Sequence, residues 1–151
     1  MTDRLTAAEA RKRAGIKQIT LPWPDSALHS NSRTHWGQKA RATASARHAA
    51  KMACLEKPRI ERIPNATIFI EYYPPTKRGD IHNVASSLKA YLDGIADAMG
   101  SDDKDFDVHY PTVWAGSGKP GKVVFRIVPP VVHVPLKGTA YPDQIVWRGG
   151  E

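Results

Sequence analysis

Apolar positions recur along this chain in two rhythms. A strand rhythm opens with the stretch "IKQITLPW" at 16–23 and is strongest in "ATIFIEYYPP" at 66–75. That second run is β-branched and aromatic and is stopped by Pro74-Pro75. "VHYPTVWAG" and "GKVVFRIVPP" flank a glycine-rich turn and predict two further strands as an antiparallel hairpin. A helical rhythm appears between Thr34 and Glu56, where Ala42, Ala46, Ala49, Ala50, Ala53 and Cys54 recur at steps of three and four. It returns over 83–99, where Val84, Leu88, Tyr91, Leu92, Ile95 and Met99 share one stripe. Asn83 is placed to cap this second helix and Gly100 to end it.

The order β-α-β-α-β-β predicts a small α+β domain: a mixed sheet of about four strands packed by two main helices. Residues 4–14 favour a short helix, so 1–15 reads as an N-terminal arm. Residues 16–128 form the domain, and 129–151 read as a Pro-rich extension that wraps a neighbour or is partly disordered. No apolar run is long enough to span a bilayer, and the charged N-terminus has no apolar signal region, so no membrane association is expected. The single cysteine, Cys54, excludes an intramolecular disulfide and a Cys-based zinc site, and suits a reducing, cytoplasmic compartment.

Charge changes the picture. The formal net charge is +7, with 22 Lys and Arg, which points to a polyanionic partner. Yet carboxylates gather at the two ends of the second helix, in "KRGDIHN" and "GSDDKDFD". A calcium loop over Asp103, Asp105 and Asp107 is excluded, because Val108 and Trp114 stand where Gly and Glu are required. Clustered acids on a basic surface repel one another and a nucleic acid, unless a divalent cation neutralises them and then coordinates phosphate. Asp80 is open to two readings, a helix-dipole partner or a metal ligand. Lys89 is either a solvated lysine paired with Asp93 four residues on, or part of a site. His82, Ser86, Lys89 and Asp93 align on one helical face.

The stretch "DIHN" (Asp80 to Asn83), Lys89 in "KAYLDGIADAMG", and Asp102-Asp103 resembles the RusA family of Holliday-junction resolvases of phages and prophages. "LPWPDSALHSNSRTHW" resembles the start of that family more loosely, and the likeness spans about residues 16–128. It implies a Mg²⁺-dependent homodimer, with Mn²⁺ possible, that nicks opposed strands of branched DNA in recombination and repair, with no small-molecule cofactor. Asp80, Asp102 and Asp103 would be catalytic metal ligands and Lys89 the helical lysine. His82 stands where the family has a second aspartate; it would ligate metal, contact phosphate or cap the helix. The gap from Asn83 to Lys89 is also longer than in the family.

Lys77, Arg78, Arg33, Lys39, Arg41 and Asn83 are the candidate DNA contacts. Trp36 either stacks on a base or belongs to a core or interface. A straight helix over 83–99 would hold Asp80 and Asp103 about 25 Å apart. A break at Asp93-Gly94, or completion across a two-fold axis, would bring them together, and the second is the expectation. The competing readings are a non-catalytic DNA-binding protein on the same fold and a basic structural protein.

Overall fold

The computed structural model describes residues 17–29, 32–56, 65–128, 131–135 and 143–147. The predicted arm helix lies outside them. The domain is α+β. Strand β1 (Lys17–Pro22) leads through a short 3-10 turn (Ser26–Leu28) to helix α1 (Trp36–Leu55). Strand β2 (Thr67–Tyr73) follows, then a 3-10 helix (Ile81–Leu88), helix α2 (Lys89–Met99), and strands β3 (Asp107–His109) and β4 (Lys122–Val128). These four strands form one sheet in the order β1-β4-β2-β3. β4 is antiparallel to both β1 and β2, whereas β3 is parallel to β2, so the sheet is mixed.

The hairpin expectation is corrected. β3 and β4 are not neighbours; β2 lies between them. Pro111 has no N–H to give a ladder, so β3 stops after His109. The chain then runs beside the end of β2, where Ala115 N donates to Tyr72 O at 3.0 Å and Gly118 N to Pro74 O at 3.0 Å. β3 is parallel because a whole crossover, containing α2, separates it from β2. Residues 129–151 contain a second, two-stranded antiparallel sheet of β5 (Val131–Pro135) and β6 (Asp143–Trp147), which the proline content concealed.

One face of the sheet is apolar. Ile19, Leu21, Ile68, Ile70, Tyr72, Val123, Phe125 and Ile127 are buried there with Ala46, Ala50 and Cys54 of α1 and Leu92, Ile95 and Met99 of α2. The predicted α2 stripe is buried throughout, but Ala49 of the predicted α1 stripe is exposed. α1 has mostly small residues on its buried face, so it approaches α2 closely. At Gly94 a β-carbon would collide with the carbonyl oxygen of Arg47 and sit 2.7 Å from Ala50 Cβ. Gly94 is therefore the contact point of two helices and not a break.

Candidate functional site

The predicted straight helix over 83–99 is instead two segments. Residues 81–88 carry Asn and Ser residues, which divert the backbone from the α-helix by local side-chain bonds. Here Ser86 Oγ donates to the Asn83 carbonyl at 3.0 Å and Ser87 Oγ to the Val84 carbonyl at 2.6 Å. Both bonds span the three-residue step of the 3-10 form. The cap is Asp80 and not Asn83: Asp80 Oδ1 accepts from His82 N at 2.9 Å. Asp80, His82 and Asn83 are exposed, as are Lys77 and Arg78 on the loop before them.

At Lys89 the backbone becomes α-helical, and it ends at Gly100 in the left-handed conformation with φ of 66°. The reversal satisfies the helix end, because Ser101 N donates to Ala96 O at 3.0 Å. It also turns the acidic loop back along α2. Asp102 caps a short 3-10 turn (Asp103–Asp105) through Lys104 N at 3.1 Å. Asp103 thereby reaches the head of α2. Lys89 Nζ donates to Asp103 Oδ2 at 2.6 Å and to Asp93 Oδ1 at 2.8 Å.

This arrangement fixes charge states. Hydrogen bonds to Asp103, then Asp93, push the Lys89 ammonium above the ordinary lysine range, so it stays protonated and cannot serve as a base. Asp103 is held below the usual carboxylate range, first by the Lys89 hydrogen bond and with a further contribution from Asp102. The hydroxyl of Tyr110 is pushed up mainly by burial, with the charges of Lys89 and Asp103 acting on it in opposite directions. Tyr110 therefore stands beside this cluster, a neighbour no sequence spacing announced. A second pair, Arg47 Nε to Asp97 Oδ2 at 2.6 Å, ties α1 to the same side of α2. Asp107 is elsewhere: its carboxylate meets His109 Nε2 at 3.0 Å, and the imidazole lies on Phe69.

A protein of Xylella fastidiosa (strain Temecula1 / ATCC 700964), named only as uncharacterized, is 37% identical over 125 residues. The match covers 76% of this chain and 79% of the Xylella protein. The chain belongs to the family of that protein. No protein-family model matches the chain.

In this chain the predicted metal ligands stand in two places. Asp80 and His82 stand at one end of the 3-10 helix, about 16 Å long at ~2.0 Å per residue. Asp102 and Asp103 lie with Lys89 beyond its other end. Among the described residues no group of three His, Cys, Asp or Glu side chains could hold a metal ion. The cation between Asp93 and Asp103 is the lysine's own. Asp93-Gly94 supplies no break that would bring the two ends together, because α2 is continuous there and packs on α1. Among the described residues no helix is long and apolar enough to cross a membrane.

Proposed function

We propose that this chain is a structure-selective endonuclease for branched DNA, of the RusA kind, working as a homodimer. The observation that carries the reading is the contact between Lys89 and Asp103. Two motif elements that the resemblance requires, 14 residues apart, meet in space on an exposed, basic protein. A fixed ammonium there opposes the negative charge that develops on a phosphate during strand cleavage. Lys77 and Arg78 beside Asp80, and Arg33, Lys39 and Arg41 near the start of α1, are exposed and suit contacts to the phosphate backbone.

The carboxylates are completed between copies in this reading. Asp80, with His82, of one protomer meets Asp102 and Asp103 of a second across a two-fold axis, and Mg²⁺ or Mn²⁺ binds where they meet. Such symmetry suits paired nicks in a four-way junction. A single cysteine, buried as Cys54, suits a cytoplasmic setting. His82, standing where the resembled family has an aspartate, favours a second reading, a DNA-binding protein on this fold without cleavage.

Incubation of a synthetic four-way junction with the full chain, with and without Mg²⁺ or Mn²⁺, separates the two. Nicking that needs the metal and disappears in Asp80→Asn supports the endonuclease. Tight, salt-sensitive binding without nicking supports the second reading.

A further inference from the structure

Trp36 opens α1 and is 78% exposed, more than any other large hydrophobic side chain of the described residues. It is not a core residue, and among the described residues nothing covers it. The imidazole of His35 lies 5.6 Å away at a tilt of 33°, backing the indole from one side, while His35 Nδ1 accepts from Gly37 N and holds the turn.

The sequence around it is basic. Between Asp25 and Glu56 the sequence has no carboxylate, yet it carries Arg33, Lys39, Arg41, Arg47 and Lys51. Cations at the start of a helix oppose its dipole, and acidic residues are preferred there. The first turn of α1 has none. Arg33, Lys39 and Arg41 are exposed near the start of α1, Arg41 beside a pocket that Asp25 also lines. Such an arrangement costs stability in the free protein and is relieved by a polyanion.

The charge also decides the occupant. A second copy docking here by two-fold symmetry would set Arg33, Lys39 and Arg41 against themselves, with no carboxylate on α1 to offset them. A nucleic acid supplies both complements, phosphates for the cations and a π-face for the indole. Base-paired DNA offers few free faces; a branch point or single strand offers them.

We propose that Trp36 stacks on an unstacked base of the bound DNA and so selects branched or single-stranded DNA over linear duplex. The proposal rests on the DNA-directed reading above and adds the residue that discriminates among DNA shapes.

The test compares wild type, Trp36→Ala and Trp36→Phe for binding to a four-way junction, a single-stranded oligonucleotide and a duplex of matched length, over a salt series. Trp36→Ala is expected to lose about tenfold in affinity for the junction and single strand, in keeping with ~1–3 kcal/mol per stacked base. Its duplex affinity and salt slope stay unchanged, and Trp36→Phe retains most of the preference. Equal losses on all three DNAs, or no loss, would overturn the stacking role while leaving the DNA-directed function standing. Wild type that binds none of the DNAs, or whose indole is quenched only by an acidic protein, overturns both.

Discussion

Lys89 Nζ lies 2.6 Å from Asp103 Oδ2, although the residues sit on opposite sides of an entire helix in the sequence. The contact exists because Gly100 reverses the chain and the acidic loop then runs back beside α2. It converts a repelling group of carboxylates into a balanced one, with Asp93 completing the ring of charge.

Lys89→Met removes the main cause of the lowered Asp103 pKa. The Asp103 carboxylate is expected to titrate nearer the ordinary range, read by carbonyl-carbon chemical shifts against pH. Because the Lys89 side chain is largely exposed, unfolding stability should change by no more than about 1 kcal/mol. Nicking, in contrast, should fall by orders of magnitude. A large loss of stability with nicking intact would make the contact purely structural.

Acid stability follows from Asp103 and Asp97, whose folded pKa values both lie below the ordinary value. Their contributions are fully present above the unfolded carboxylate pKa and fade as pH falls through the folded one. Thermal stability should therefore fall below about pH 4, starting from the model-peptide Asp value of ~3.9. Asp103→Asn should flatten that dependence, and an unchanged profile would contradict the assignment.

Gly94→Ala tests the helix contact. Alanine is the better helix former by ~1 kcal/mol, so an open site would gain stability. Here the added methyl meets the Arg47 carbonyl and Ala50, so denaturant unfolding should show a net loss of roughly 1–3 kcal/mol.

Much of this was readable from residue pattern, and the exceptions have physical reasons. The α2 stripe from Val84 to Met99 was legible because its apolar spacing survives the change from 3-10 to α geometry. The change itself was not, since it depends on the Ser86 and Ser87 hydroxyls choosing carbonyls three residues back. The place of β4 between β1 and β2 is a long-range pairing that the glycine-rich segment 115–121 disguised as a hairpin turn. Asp103 and Lys89 were both visible as candidates. Their contact was hidden, because it depends on how far the loop after Gly100 folds back.

Cys54 should be chemically silent in the native protein. Burial pushes its thiol up to about 12, so it is almost wholly protonated at neutral pH. Alkylation by iodoacetamide, followed by mass spectrometry, should proceed only after unfolding. Rapid native labelling would contradict the packing of α1 on the sheet.

The central claim is that carboxylates kept apart in one chain meet between two. The most direct measurement mixes Asp80→Asn with Asp103→Asn protein, allows subunits to exchange, and follows nicking of a four-way junction in Mg²⁺. Each variant alone should be inactive. The mixed dimer holds one site with both native carboxylates, so single nicks should return without paired ones. Continued inactivity after demonstrated exchange would contradict the claim.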